Sequence, residues 1–396
     1  MQPKHESLFE PINLGKLRLG NRIVLAPTYV GMGDLKGNVT DQGLCYYFAR
    51  ASGGVGLVIV EITGVTGRFA FNPGFGLGAG SEKHVSGLRD LAQVIHWGGA
   101  KALIQLLPGQ GAQALQSYEN RPLVGPSDVP ALLPRGELPE ILKDLLDKKP
   151  EQPRPLTREE IQGLKVSMVK AALRAKRAGF DGVEIHGAHG YLLGEFTSPY
   201  FNQRKDEYGG SPEKRWTLSR EMIQDIKEQT GPDFVVGYRL SARECIPGGL
   251  DLPEAIQMAR VLKEAGADYL SVSCGCYGSL ARIFPQGEAA MSEDAAAIQK
   301  SVTIPVMAPN FQDPGKAAEA IASGTMALVA LSRALLADPL WARKVKEGRS
   351  GDIQRCVRCY RCVRAAIVDY SPVRCPVNPG LGFERFDPRF FPHPSS

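Results

Sequence analysis

The sequence predicts a (β/α)8 barrel followed by a small cysteine-rich module. Short runs rich in valine, isoleucine and leucine recur eight times, each closed by glycine, proline or polar residues. Amphipathic helical patterns separate them, as a parallel sheet buried on both faces requires. Beyond residue 350 this rhythm stops and four cysteines crowd into one stretch. A doubly wound open sheet shares the alternation, because eight strands alone do not prove closure.

The strands, in order, are "RIVLAP" (22–27), "GLVIVEIT" (56–63), "KALIQLL" (101–107), "GVEIHG" (182–187), "FVVGYRLS" (234–241), "YLSVSCG" (269–275), "IPVMAPN" (304–310) and "MALVALSR" (326–333). Helices are predicted near 41–52, 84–97, 213–229, 253–265, 293–300, 314–323 and 338–347. The clearest helix opens at Thr157, where Glu160 three residues on completes a capping box, and stops near Gly179. Residues 108–156 are too long for an ordinary connection and are dense in Pro, Gly, Lys and Glu, so they read as an excursion loop on the rim. The glycine string "GFGLGAG" (74–80) follows no predicted strand and opens no helix, so it reads as a flexible loop rather than a dinucleotide fingerprint. The expected division is a barrel over 1–350 and a module over 351–396.

Composition narrows the function classes. The chain has 396 residues, of which 43% are hydrophobic and 22% charged, and no apolar run approaches the roughly 20 residues of a membrane helix. The N-terminal segment has no apolar core before a cleavage site, so it is not a signal peptide, and a cytoplasmic location is the default expectation. A net charge of +5 with scattered basic residues does not imply nucleic acid. Of eight cysteines, Cys45, Cys245, Cys274 and Cys276 stand singly or as a pair in apolar sequence. The other four, Cys356, Cys359, Cys362 and Cys375, have the spacing C-x2-C-x2-C-x12-C. In a reducing compartment such spacing argues for metal, and it suits zinc or an iron-sulfur cluster equally.

Barrel chemistry collects at the C-terminal ends of strands. Thr28 and Tyr29 follow the first strand, Gln105 lies in the third, Arg239 in the fifth, and Ser332 and Arg333 end the eighth. The fourth runs into "HGAHGY", where His186, His189 and Tyr191 can converge above the barrel mouth. Two imidazoles can donate to one developing oxyanion, and a phenol can deliver a proton. The bland alternative is a buried structural histidine and a wall tyrosine. A metal site on the two histidines lacks a third ligand.

"NRIVLAP", "GLVIVE", "ALIQLL", "AGFDGVEIHGAHGYLLGEFTSPYFNQRKDEYGGSPEKR", "VGYRLS" and "ALVALSRALLADP" together resemble the old yellow enzyme family of FMN-dependent (β/α)8 oxidoreductases, over about residues 7–347. The resemblance implies that Gln105 bonds the flavin ring and that Arg239 sits beside its N1 and O2. Pro27, Thr28 and Tyr29 would line the ring, while Asn310, Ser332 and Arg333 would hold the phosphate. His186 and His189 would grip a substrate carbonyl, and Tyr191 would donate the proton. The implied reaction takes hydride from NAD(P)H to FMN N5 and on to the β-carbon of an α,β-unsaturated carbonyl, an enone or enoyl thioester. Pro309, Asn310 and Ser332 depart from a glycine-richer phosphate site, Tyr29 stands where Thr or Cys commonly tunes the flavin, and "LLPGQG" ends the third strand where a His-Ala-Gly-Arg type sequence is common.

The tail resembles the branch that includes 2,4-dienoyl-CoA reductases and trimethylamine dehydrogenase, which place a four-cysteine [4Fe-4S] site after the barrel. Cys362 is displaced by one residue from that branch's C-x2-C-x3-C, while "CPVNP" at 375–379 matches its fourth ligand. A [4Fe-4S] cluster, rather than zinc, is therefore expected to relay electrons, with Arg355, Arg358, Arg361, Arg364 and Arg374 around it. Members of that branch continue into further cofactor-binding domains. Because the sequence ends at Ser396, a separate electron-transfer protein or reductase is the expected partner. The competing functions are a flavin dehydrogenase for amines or alicyclic compounds, and a zinc-stapled, non-catalytic barrel subunit.

Overall fold

The computed structural model describes residues 2–69, 76–118, 120–134 and 138–391. Eight parallel strands close into a barrel: β1 (Ile23–Leu25), β2 (Leu57–Gly64), β3 (Lys101–Leu107), β4 (Gly182–Gly187), β5 (Val235–Ser241), β6 (Tyr269–Ser273), β7 (Val306–Pro309) and β8 (Leu328–Leu331). Closure is direct, since β1 pairs with β8 at Ile23 and Val329 and with β2 at Val24 and Leu57. The open doubly wound alternative is thereby excluded.

The apolar runs belong to strands because each is buried on two sides. Val24, Leu57, Ile59, Leu103, Val235, Tyr269, Met307 and Leu328 form one cluster inside the barrel, together with Leu14 and Leu19 of an N-terminal hairpin (Ile12–Leu14 with Leu17–Leu19). Alternate residues such as Val58, Ile104, Val183, Val236 and Leu270 face the helices and join the large outer core. This period of two is the strand signature, repeated with a helix between every pair.

The principal helices are α1 (Asp41–Ser52), α2 (Val85–Trp97), α3 (Arg158–Arg177), α4 (Thr217–Thr230), α5 (Leu252–Glu264), α6 (Ser292–Ser301), α7 (Pro314–Ala322) and α8 (Trp341–Lys346). The capping box at α3 is present: the Thr157 hydroxyl accepts from Glu160 N–H and the Glu160 carboxylate accepts from Thr157 N–H. Two helices differ from the reading of the sequence. The 213–229 helix is broken at Trp216 into Pro212–Arg215 and α4, and the 338–347 helix starts only at Trp341. A separate short helix, Arg333–Ala337, precedes α8, because Asp338 is extended immediately before Pro339 and proline disfavours a helical residue ahead of it.

The excursion over 108–156 carries a two-stranded parallel pair, Val124–Gly125 with Arg154–Pro155, and a 3-10 turn over Glu140–Asp147. Part of the glycine string falls on residues 70–75, outside the described residues. Its remainder is not a free loop, since Leu77–Gly78 pairs in parallel with β2.

Residues 351–391 lie against the barrel. Val373 N–H donates to Val30 O (2.9 Å), Gln42 Nε2 to Gly382 O (2.7 Å) and Asn378 Nδ2 to Leu336 O (2.8 Å). Helix α9 (Arg361–Ile367) packs Val363 and Ile367 with Leu142 and Leu145 of the excursion and with Tyr277 and Leu280 beyond β6. Among the described residues, no helix is long and apolar enough to cross a membrane.

Candidate active site

Strand register assembles the site. Gln105 on β3 is level with Glu184 on β4, and His186 on β4 is level with Arg239 on β5. All four share the inward phase of their strands with Leu103, Gly182 and Val235, so they stack above the apolar plug. A buried carboxylate would be costly there unless bonded. Gln105 Nε2 donates to Glu184 Oε1 (2.6 Å) and Tyr269 Oη to Glu184 Oε2 (2.9 Å). Burial pushes the Glu184 carboxyl up, opposed by Arg239 and by these two bonds. Gly237 makes room for Tyr269, because a Cβ at that position would lie 2.1 Å from the Tyr269 ring.

A cavity, open at its mouth, lies above this layer. Its wall includes Pro27, Thr28, Tyr29, Gln105, His186, His189, Tyr191, Arg239, Asn310, Ser332 and Arg333, so the structure brings together all eleven residues singled out for a flavin and its substrate. Thr28 and Ser332 fasten β1 to β8, their hydroxyls 2.7 Å apart. Asn310 has φ +84°, a left-handed conformation that asparagine tolerates, which explains how this position does without glycine. Its Oδ1 accepts from Arg333 Nη2 (3.1 Å), which also reaches Pro285 O (2.9 Å).

The catalytic candidates form a tight group. Ring centroids lie 5.2 Å apart for His186 and His189 and 5.1 Å for His186 and Tyr191, all edge-on. Burial, together with the Arg239 cation, holds both imidazoles well below the usual histidine value, so they are neutral at neutral pH. His186 Nδ1 accepts from Ala188 N–H (3.2 Å), which leaves Nε2 as its donor. His189 Nε2 lies 2.6 Å from Ser273 Oγ; if that hydroxyl donates, Nδ1 carries the proton. Burial raises Tyr191, which therefore keeps its proton.

Several wall residues escaped the sequence reading. Tyr277 places its hydroxyl 3.4 Å from that of Tyr191, yet its stretch, 274–292, has no strand or helix periodicity. Tyr370 and Ile367 come from the tail, and nothing local in the sequence connects them to the barrel mouth. Glu184 lay inside the quoted motif, but its partners lie on neighbouring strands. The wall holds no carboxylate among the described residues.

Three buried polar atoms on this wall have no partner among the described residues: Gln105 Oε1, Arg239 Nε and Arg333 Nη1. Buried polar atoms are rarely left unpaired. The cavity is thus shaped for a polar ligand offering a donor to Gln105 and acceptors to both arginines.

Cys356, Cys359, Cys362 and Cys375 line a second, smaller cavity. Among the described residues no three His, Cys, Asp or Glu side chains gather closely enough for a single ion. The four thiols ring a space instead. Arg358 N–H donates to Cys356 Sγ (3.3 Å). Arg333, Leu336 and Cys362 line both cavities, so they form a common wall. The arginines surround this site less fully than the sequence suggests. Arg358 and Arg374 line the cavity, but Arg355 pairs with Asp313 and Arg364 with Asp144 and Asp369.

Residues 7–352 match the sequence model of the NADH:flavin oxidoreductase / NADH oxidase family. The chain belongs to that family. It is similar to an NADH oxidase of Thermoanaerobacter brockii, 38% identical over 386 residues that cover 96% of this chain and 56% of the relative. A cinnamate reductase of Clostridium sporogenes is 33% identical over 416 residues, covering 97% and 59%. Among solved structures, a complex of 2-naphthoyl-CoA reductase superposes with a TM-score of 0.86 at 27% identity, covering 97% of this chain and 58% of that one. This member of the NADH:flavin oxidoreductase family thus spans a little over half the length of these relatives, and the match continues through the four cysteines.

Proposed function

We propose that this chain is an FMN-dependent ene-reductase, reducing the C=C bond of an α,β-unsaturated carbonyl. The observation that carries the reading is the convergence of two neutral imidazoles and a protonated phenol over a floor whose glutamine and arginine have unused hydrogen-bonding capacity. The edge of a flavin ring offers both donors and acceptors, which suits Gln105 and Arg239, and its phosphate suits Arg333. FMN, when bound, supplies hydride transfer between a reduced nicotinamide and the substrate's β-carbon. Arg239 places a fixed cation where negative charge accumulates. Glu184 orients Gln105 through their bond and acts on the Arg239 cation through its charge. His186 Nε2–H and the His189 N–H donate to the carbonyl oxygen, more strongly as enolate charge grows. Tyr191 holds the proton that the α-carbon receives, and Tyr277 supports its hydroxyl.

His186, His189 and Tyr191 favour a carbonyl over an amine substrate, because two neutral imidazoles and a protonated phenol can all donate to one oxygen. The names of two relatives, a cinnamate reductase and a 2-naphthoyl-CoA reductase, agree with an aryl-conjugated acyl substrate. Aromatic side chains on the wall, Tyr277, Phe284 and Phe311 among them, would stack on such a ring.

We further propose that the four cysteines hold a [4Fe-4S] cluster on a module of residues 351–396 attached to a barrel of residues 1–350. The four cysteines line one cavity, where they could give a cluster one ligand per iron. Such a cluster exchanges single electrons, and the wall shared through Cys362 and Arg333 supports exchange with the flavin site. The electron source is NAD(P)H directly or a partner electron-transfer protein.

The test is an anaerobic absorbance spectrum with metal analysis, then addition of NAD(P)H and an aryl enone or cinnamate. Flavin bands with a broad iron-sulfur shoulder, bleached by reductant and restored by the alkene, are expected. Stoichiometric zinc without flavin would overturn the reading.

A further inference from the structure

Away from both cavities, two thiols from different strand ends lie together. Cys245 follows β5 and Cys274 directly follows β6, and their Sγ atoms are 3.5 Å apart. Cys274 is buried and Cys245 is exposed, so the apolar setting suggested by the sequence around Cys245 is not its setting in the fold. The approach is fixed by backbone bonds on either side. Ala242 N–H donates to Ser273 O (2.8 Å) and Gly275 N–H to Arg243 O (2.7 Å), while Ser279 Oγ donates to Glu244 O (2.6 Å). Cys245 itself has φ +56°, an uncommon conformation for a side-chain-bearing residue, and it turns this residue at the loop surface.

We propose that Cys245 and Cys274 are a redox-active dithiol, Cys245 being the attacking thiol and Cys274 the resolving one, that exchanges with low-molecular-weight disulfides and thiols. The geometry requires closing the sulfurs from 3.5 Å to the roughly 2.05 Å of a disulfide, between two backbone segments already held in register. Exposure and charge give the pair its polarity. Cys245 is pushed down to about 7, first by a hydrogen bond from the Cys274 thiol and further by Arg282 and Arg243, against partial burial and Asp294. The Cys274 thiol is pushed up by giving that bond and by burial. A thiolate near ambient pH beside a protonated partner is the arrangement in which exchange is fast. Cys276 is not the third member, because its sulfur faces Glu244 O and Ser279 Oγ, each at 4.0 Å.

The Cys245 thiolate attacks one sulfur of a small disulfide RSSR, forming a mixed disulfide and releasing RS⁻. Cys274, as its proton leaves, attacks Cys245 Sγ and expels the second RS⁻. Two protein thiols are oxidised to one disulfide, RSSR is reduced to two RSH, and the two protons lost by the protein end on the released thiols. A dithiol reverses both steps.

The experiment uses the full chain loaded with its cofactors, incubated anaerobically with oxidised glutathione, alkylated, digested and mapped by mass spectrometry. The wild type is expected to yield a peptide pair joined through Cys245 and Cys274, lost on treatment with dithiothreitol. Cys274→Ser should stop at a stable glutathione adduct on Cys245, Cys245→Ser should leave Cys274 alkylatable, and Cys276→Ser should leave the cross-link intact. A wild type in which Cys245 stays unmodified, carries glutathione while Cys274 is alkylated, or joins Cys276 instead would overturn the assignment. Because the decisive readout comes from the wild type, misfolding of a variant cannot rescue or sink it.

Discussion

At the scale of single residues, the site separates the roles of its titratable groups by burial. Tyr191 keeps its proton and the two histidines stay neutral, so in the proposed reaction the group that delivers a proton differs from the groups that only polarise. Tyr191→Phe should therefore slow oxidation of the reduced flavin by the alkene roughly a hundred- to ten-thousand-fold, the range for a general acid. Flavin reduction by NAD(P)H should be unchanged, and stopped-flow measurement of the two half-reactions separates these outcomes. A second residue-level consequence concerns stability. Glu61, fully buried, accepts from Val30 N–H (2.9 Å), yet burial still pushes it up to about 8. The folded chain holds this proton between pH 4.5 and about 8 while the unfolded chain releases it, so stability from Glu61 is complete below 4.5 and lost as pH rises through 8. The buried histidines act oppositely, their contribution being present above about 6.5 and lost as pH falls. Other buried carboxyls act in the same sense as Glu61, among them Glu244, pushed up to about 7, and Glu195, also raised by burial. Melting temperature should fall between pH 6.5 and 8, and Glu61→Gln, which still offers an oxygen to Val30, should flatten part of the fall.

At the scale of elements, regularity decided what could be read from the sequence. Eight strands were legible to within about two residues because burial on both faces leaves an uninterrupted apolar run. The helix over 338–347 was misread because periodicity continues across Asp338 and Pro339, where the backbone does not. The cap at Thr157 was legible because its two partners are only three residues apart, whereas the Gln105–Glu184–Tyr269 set is created by register across β3, β4 and β6 and leaves no local trace. The same locality makes the cap testable. Thr157→Ala removes one acceptor from the first turn of α3 and should cost about 1 kcal/mol in urea unfolding. Glu160 remains held by Arg154 through two bonds of 2.8 and 2.6 Å, so the loss should stay near that value and leave activity intact.

At the scale of the whole molecule, the question is how tightly the cysteine-bearing tail belongs to the barrel that it overhangs. Nothing in the sequence linked Arg50 in α1 to Glu384, 334 residues later, yet the two form an ion pair of 2.7 Å with the arginine side chain entirely buried. Arg50 Nη1 also donates to Tyr46 O (2.9 Å), and its guanidinium lies 3.6 Å over the Tyr46 ring. An arginine cannot shed its charge, so removing Glu384 leaves a buried cation without its counter-ion, a change that costs roughly 3–5 kcal/mol. If the tail were held only by its own contacts, Glu384→Ala would loosen residues 351–391 and leave the barrel's unfolding midpoint in place. The position of Arg50 in a barrel helix predicts the other outcome. The global midpoint in denaturant should drop, flavin should be released in the same transition because Tyr370 and Ile367 wall its cavity, and protease should cut tail and barrel together. Two separated transitions, with flavin retained through the first, would show the tail to be an independent unit.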